Sequence, residues 1–307
     1  MKAVIASGYG GPEVLSVQDI EKPKPWKGEV LIKVRAASVN SADVRMRSLD
    51  AGPGLKGFIA KIVICLLLGI IKPRRVPGVV LAGEIVELGD GVDKFKIGDE
   101  VFAMTGFNFG AYGEYCALPI KKAIALKPKL ASFEEASALP FGGNTALYFL
   151  RKAGASKNKE VLIYGSTGAV GSAAVQVAKY LGCNVTAVCS KDGLGLTKTL
   201  GADKVYDYQV TDLGEIEGKF DIVFDAVGKI SKAKVKHLVA VNGQYITVNG
   251  FDVAKETSLN LEELASMFDN GKLKATIDRT FKLEEIVEAN IYVDTGRKKG
   301  SVVIKIA

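Results

Sequence analysis

The sequence predicts an α/β protein in two parts: a mostly antiparallel β part, then a doubly wound parallel sheet with helices on both faces. Three observations predict it. Residues 1 to 125 carry short runs of alternating apolar and polar residues, punctuated by glycine. Glu160 to Ser190 reads as strand, glycine turn, helix and strand, a βαβ unit. Behind that unit, strand-like and helix-like segments keep alternating, as a parallel sheet requires.

In chain order, Lys2–Ala6 and Glu29–Ala36 alternate as half-buried strands do, with a turn at Pro23 and Pro25 between them. Glu84–Leu88 runs into Gly89-Asp90-Gly91, and Phe95–Phe102 is the next strand candidate. Near residue 130 the period changes. Ser132, with Glu135 three residues on, forms a capping box ahead of a helix at Ala136–Leu139, and Ala146–Lys152 is a second helical segment. After the βαβ unit, Lys191–Leu200 reads as a helix, Lys204–Tyr208 and Phe220–Asp225 as strands, Ser231–Ala240 as a helix and Gln244–Asn249 as a strand. Asn260–Asp269 reads as a helix, and Ser301–Ile306 is a strand candidate near the end.

The βαβ unit carries the chemistry. Val161-Leu162-Ile163-Tyr164 is a strand, and Gly165-Ser166-Thr167-Gly168-Ala169-Val170-Gly171 is the turn. The helix from Ser172 to Leu181 has an apolar stripe at Ala174, Val177, Ala178 and Leu181. Gly168 lets the backbone approach a pyrophosphate, and Gly171 lets the helix pack closely on the strand. The helix N-terminus then presents unpaired N–H groups to the negative charge. The second strand, Asn184–Cys189, ends in Ser190 and Lys191, where an NAD site would carry an Asp or Glu for the ribose 2′-OH. A hydroxyl and a cation suit a 2′-phosphate, so the expected cofactor is NADPH. Asp192, one position later, is expected to cap the next helix.

Composition narrows the partners. The chain has 307 residues, 48% hydrophobic and 24% charged, with 41 basic and 34 acidic residues and a formal net charge of +7. Its lysines are scattered without an aromatic-basic platform, so no nucleic acid partner is expected. Cys65, Cys116, Cys183 and Cys189 lie in apolar stretches without paired metal spacing and read as reduced thiols of a cytoplasmic protein. No signal peptide is evident. The longest apolar stretch, Phe58–Ile71, is interrupted by Lys61 and is too short to span a bilayer. Three readings of it stay open: a buried helix, an apolar lid over substrate, or a peripheral membrane contact through 58–75, since Lys72, Arg74 and Arg75 follow.

From end to end the chain resembles the medium-chain dehydrogenase/reductase superfamily, in its zinc-independent quinone oxidoreductase branch. The matching stretches are Ala36–Asp43, Gly83–Gly89, Phe95–Phe102, Gly110–Tyr115, the glycine turn, Leu200–Asp203 and Phe220–Gly228. The resemblance implies a GroES-like antiparallel β-barrel substrate domain over 1–125, completed by 275–307, and a Rossmann NADPH-binding domain over 126–274. It also implies a homodimer. It carries over Asn40 as the asparagine beside the nicotinamide, and Thr145 as a residue lining the same cleft. Gly165, Ser166, Thr167, Gly168, Ala169, Val170 and Gly171 become the pyrophosphate turn, and Ser190, Lys191 and Tyr208 the 2′-phosphate pocket. Val227, Gly228, Val248 and Asn249 follow strands at the sheet's carboxyl edge, where open parallel sheets bind ligands.

The departures bear on mechanism. Zinc alcohol dehydrogenases carry a Cys at the position of Asn40 and a His-Glu pair where this chain has Val79-Val80. Ala103 to Phe109 lacks the four-Cys lobe, and the single histidine, His237, is expected at the surface. Relatives often carry Asp where Val80 stands, and a lysine where Ser301 stands. No metal is expected. Without a Lewis acid, the substrate must already be primed for hydride: a quinone, or an α,β-unsaturated ketone or aldehyde. Asn40 is expected to orient the nicotinamide or donate to the substrate oxygen. Tyr112, on a glycine-flanked loop, is either a proton donor or a packing tyrosine, with the cofactor ribose or water as other proton sources. A non-catalytic NADPH-binding protein and a zinc-type alcohol dehydrogenase are the alternative functions.

Overall fold

The structure is a computed structural model that describes residues 1–50, 57, 61, 62, 64–66, 69, 73, 76–250 and 252–306. It divides into two compact units, one of Met1–Pro140, Glu256–Ala265 and Ile277–Ala307, the other of Phe141–Lys255 and Ser266–Thr276.

In chain order come strands β1 (Lys2–Ala6), β2 (Leu15–Asp19) and β3 (Glu29–Val39), helix α1 (Ser41–Ser48), and strands β4 (Val80–Leu88), β5 (Glu100–Met104), β6 (Tyr115–Pro119) and β7 (Ala123–Leu126). Helix α2 (Phe133–Lys152) follows. Next are β8 (Glu160–Tyr164), α3 (Ala169–Tyr180), β9 (Asn184–Cys189), α4 (Leu194–Thr199), β10 (Lys204–Asp207), β11 (Phe220–Asp225) and β12 (Val239–Thr247). Helix α5 (Ser258–Asp269), strand β13 (Ile277–Lys282), helix α6 (Ile286–Asp294) and strand β14 (Ser301–Lys305) complete the order.

The first unit is built on β3. At 11 residues it is long enough to hold β4 along one edge and to share the other, with Glu29–Lys33 on β6 and Ala36–Val39 on β14. Val30, Ile32 and Val34 face the core, and then Ala37 and Val39 do. The phase changes because the pairing with β4 slips between Val34 and Ala36, and one extra residue swaps the face of every residue after it. The sheet runs β13-β14-β3-β4-β5-β7, mostly antiparallel, with β13 and β14 pairing parallel. β5 begins at Glu100, so the first half of the expected Phe95–Phe102 strand is loop.

The second unit is a parallel five-stranded sheet in the order β10-β9-β8-β11-β12. Val161, Leu162 and Ile163 of β8 are fully buried, as a central strand's side chains must be when helices cover both faces. Helix α3 is buried more widely than a single stripe: every residue from Val170 to Ala178 is enclosed. Its small side chains (Gly171, Ser172, Ala173, Ala174) let neighbours close on several sides, while the expected stripe residue Leu181 is only half-buried at the C-cap.

Several expectations are corrected. The two helical segments around residue 140 are one helix, α2, of 20 residues that passes through Pro140. Proline removes one N–H, but Ala136, Leu139, Ala146, Leu147 and Leu150 are buried on both sides of it and carry the helix through. Ser231–Ala240 is not a helix. Its N–H groups bond three residues back (Lys234 to Ser231, Leu238 to Val235), Val235 and Leu238 anchor it, and β12 begins at Val239. Asp192 lies inside a short 3-10 turn whose N-cap is Ser190, so it does not cap the helix. Helices α1 and α6 and strand β13 were not foreseen. Most of Phe58–Ile71 lies outside the described residues. Within it Lys61, Ile62, Ile64, Cys65 and Leu66 are helical, and among the described residues no helix is long and apolar enough to cross a membrane.

The capping box ahead of α2 forms as the sequence predicts. Ser132 N–H donates to Glu135 Oε2 at 2.9 Å, and Glu135 N–H donates to Ser132 Oγ at 3.1 Å. Replacing Ser132 by alanine is expected to lower unfolding free energy by about 1 kcal/mol in a urea titration. An unchanged midpoint would mean that this end of the helix is held by packing alone.

Candidate active site

The carboxyl edge of the parallel sheet gathers most of the residues named from the sequence. Strand order reverses between β8 and β11, the point where open α/β sheets leave a crevice for a ligand. The three glycines of the turn after β8 do three different jobs. Gly165 has φ +78°, and a Cβ there would lie 2.5 Å from Val227 Cγ1. A Cβ on Gly171 would lie 2.0 Å from the carbonyl oxygen of Gly165, so helix and strand touch backbone to backbone. A Cβ on Gly168 would meet only Gly165 O, at 3.8 Å. Its side is open, as a phosphate cradle must be. Gly168 is also the N-cap of α3, whose first turn carries no acidic residue, so its N–H groups and positive dipole end are left for an anion.

The side chains around the turn divide into those that face outward and those already used. Ser166 is fully buried, with Oγ bonded to Val188 O at 3.3 Å and Thr197 Oγ1 at 3.2 Å, so it fastens the turn to β9 and α4. Thr167 and Ala169 are half-buried and Val170 is buried. Thr145 in α2 spends its hydroxyl on Phe141 O at 2.7 Å. At the end of β9, Ser190 makes no side-chain capping bond and Lys191 is exposed. Tyr208 N–H bonds Cys189 O at 3.0 Å, which brings Tyr208 beside that strand end, its ring centroid 6.1 Å from that of Tyr164. Val227, Gly228, Val248 and Asn249 follow β11 and β12 at the same edge.

In the first unit, Asn40 and Tyr112 come together around Ser38. Asn40 joins β3 to α1 and is 1% exposed. Its Nδ2 donates to Ser38 O and Ser38 Oγ, both at 3.2 Å, and its N–H donates to Asp43 Oδ2 at 2.9 Å. Asn40 Oδ1, Asp43 Oδ1 and Arg47 Nε are buried without a hydrogen-bond partner, which is a costly state. Burial pushes the Asp43 carboxyl up to about 6, against the hydrogen bond from Asn40 N–H that favours its charged form. Arg47, one helical turn on, donates to Gly10 O at 2.8 Å and to Asp294 Oδ2 at 2.7 Å. Asp43 and Arg47 border a small, mostly apolar cavity of about 40 Å³ with Leu15, Met46 and Phe109. Neither residue was singled out from the sequence. The Asn-x-x-Asp spacing at a strand-to-helix junction was the available signal.

Tyr112 needs correcting as a proton donor. It is 1% exposed, its hydroxyl donates to Ser38 O at 3.3 Å, and burial together with Asp43 raises its pKa well above the usual tyrosine value. It packs the core and supports the Asn40 turn. His237 is exposed, on the turns before β12, with Nε2 3.0 Å from Leu213 O.

The zinc ligand positions do not fit a metal. Val79 and Val80 are buried apolar side chains, and the Asn40 amide nitrogen is committed to Ser38. Among the described residues no three His, Cys, Asp or Glu side chains assemble.

Residues 26–128 match the family described as alcohol dehydrogenase GroES-like domain, and residues 169–280 the one described as zinc-binding dehydrogenase. The chain is 36% identical to the 2-methylene-furan-3-one reductase of Solanum lycopersicum, over 99% of this chain and 79% of that one. It belongs to the medium-chain dehydrogenase/reductase superfamily. It is also 33% identical to an NADPH-dependent alkenal/one oxidoreductase, chloroplastic, of Arabidopsis thaliana, over 99% of this chain and 79% of that protein. A quinone oxidoreductase structure from Coxiella burnetii superposes with TM-score 0.89 at 30% identity, covering 100% of this chain and 99% of that one. Within the superfamily the chain groups with the quinone oxidoreductases, and the superfamily binds a nicotinamide cofactor.

Two predictions come from this geometry. Gly171→Ala should destabilise the fold strongly, because backbone atoms would have to move. Gly168→Ala should change stability by less than about 1 kcal/mol yet weaken dinucleotide binding tenfold or more. Urea titrations and cofactor fluorescence read the two effects, and equal stability losses would undo the division of labour.

The second concerns pH. A carboxyl raised by burial binds its proton more tightly folded than unfolded, so stability falls as pH rises from about 4 through about 6. The difference is worth roughly 3 kcal/mol. Asp43→Asn, which keeps an oxygen to accept from Asn40 N–H, should gain on the wild type between pH 4.5 and 7.5. A constant difference across that window would contradict a buried acid.

Proposed function

We propose that the chain is a zinc-independent, NADPH-dependent oxidoreductase that reduces a small apolar quinone or α,β-unsaturated carbonyl compound. The observation that carries this reading is the open cradle over Gly168 at an uncompensated helix N-terminus, with a hydroxyl and a lysine in place of an acid at the end of β9. Ser190, Lys191 and Tyr208 would hold the 2′-phosphate, and the α3 N-terminus the pyrophosphate. The bound nicotinamide supplies the hydride.

The chain's own residues position and shield. Asn40 has spent its amide N–H groups on Ser38, so its free oxygen is left to accept, which favours orienting the nicotinamide carboxamide over donating to substrate oxygen. With Tyr112 committed to the core, the proton comes from water or the cofactor ribose. The names of the relatives, an alkenal/one oxidoreductase and a furanone reductase among them, fit a substrate already polarised for hydride. The proposal includes a cytoplasmic location and a homodimer, and light scattering checks the homodimer against a chain mass of 32.6 kDa.

The test is NADPH oxidation measured against quinones, enones, enals and simple aldehydes, with and without chelator. Turnover of the first three classes, unaffected by chelation, is expected. Binding without turnover on the whole panel would favour a non-catalytic NADPH-binding protein. Lys191→Ala should narrow the preference for NADPH over NADH by about tenfold or more, the worth of one charge-assisted contact. Equal affinity for both cofactors in the wild type would reject the 2′-phosphate assignment.

A further inference from the structure

The loop after β11 is gathered by one side chain. Asp225, fully buried, accepts at Oδ1 from the N–H groups of Val227 (3.3 Å), Gly228 (2.9 Å) and Lys229 (3.3 Å). Its Oδ2 accepts from Ile230 N–H and from Thr247 Oγ1, both at 3.1 Å. Only a carboxylate offers enough acceptor sites for five donors, because an amide would turn N–H groups toward N–H groups. Through Thr247 the same carboxylate reaches the next loop. Asn249 N–H donates to Thr247 Oγ1 at 3.1 Å, and Asn249 Nδ2 donates to Gly228 O at 3.4 Å.

What the loop abuts gives it direction. Val227 packs on Gly165, the first glycine of the phosphate turn. Gly228 has φ +73°, and a Cβ there would lie 2.7 Å from Asn249 Cβ, so the two loops are fitted to each other. The strand order places β9 and β10, with Ser190, Lys191 and Tyr208, on one side of β8, and β11 and β12 on the other. A dinucleotide whose adenosine lies over β9 and whose pyrophosphate lies over the turn after β8 must carry its other half over β11 and β12.

From this we infer that Asp225 is a positioning residue for the nicotinamide half of the cofactor, holding Val227, Gly228 and Asn249 as the wall against which that half lies. The inference rests on the cofactor site proposed above. Asp225 touches no reacting atom in this assignment. It fixes the loops that do the touching.

The test separates the two halves of the cofactor. 2′,5′-ADP carries the adenosine and 2′-phosphate but no nicotinamide, so it reports on the β9 side alone. Asp225→Asn should leave 2′,5′-ADP affinity within about twofold of wild type, while NADPH affinity falls tenfold or more and kcat falls with it. Because Asp225→Asn can unfold the loop, Thr247→Val serves as the milder variant. It removes one donor to Asp225 and the acceptor for Asn249, and should shift NADPH in the same direction by a smaller factor, with Thr247→Ser restoring it. Parallel losses of 2′,5′-ADP and NADPH in both variants would mean a merely structural role and overturn the inference, as would wild-type NADPH affinity in both. A wild type that binds neither ligand overturns the cofactor site and this inference together.

Discussion

The closest constraint in the nucleotide-binding unit is the contact between Gly171 and the Gly165 carbonyl oxygen, where no side-chain atom fits. It brings α3 against the end of β8 and aims the helix's first N–H groups out of the sheet's carboxyl edge. Everything else at that edge follows from the helix lying there. Ser166 can reach Val188 and Thr197 beneath the turn, Val227 can close over Gly165, and Gly168 is left as the lip with room beside it. A bulkier helix start would push against the backbone at the end of β8 and dissolve the cradle.

The parts of the fold that sequence conveyed well are those governed by local rules. The βαβ unit, the capping box at Ser132 and Glu135, and the strand at Ser301 depend on residues within one turn or one strand of each other. Ser231–Ala240 misled because its apolar residues, Val235 and Leu238, are three apart, a spacing that consecutive turns satisfy as well as a helix does. The phase change in β3 was invisible because it shows only in the pairing with β4, which slips between Val34 and Ala36. Helix α6 buries Ile286, Ala289, Asn290 and Val293, a helical spacing diluted by a buried asparagine whose Nδ2 bonds back to Ile286 O at 2.9 Å.

The site divides the same way. The geometry of the glycine turn was legible because glycines have positional meaning. The surroundings of Asp43 and Asp225 were not, since the donors that gather on an aspartate come from distant parts of the chain or from folded loops. Four N–H groups turned toward one carboxylate are a property of a folded loop. Ser166 shows the converse: it sits inside the motif and looks like a ligand contact, yet its hydroxyl is consumed by the scaffold.

The cysteines have a consequence of their own. Soft electrophiles such as enals and quinones alkylate thiolates, so the placement of a chain's thiols decides how readily they attack it. Here Cys116, Cys183 and Cys189 are 3%, 1% and 1% exposed, and burial pushes the Cys116 thiol up to about 12. A thiol held there is almost entirely protonated at neutral pH and is a poor nucleophile. Cys65, half-buried, is the accessible one. The fold therefore leaves a single cysteine, Cys65, within easier reach of a soft electrophile.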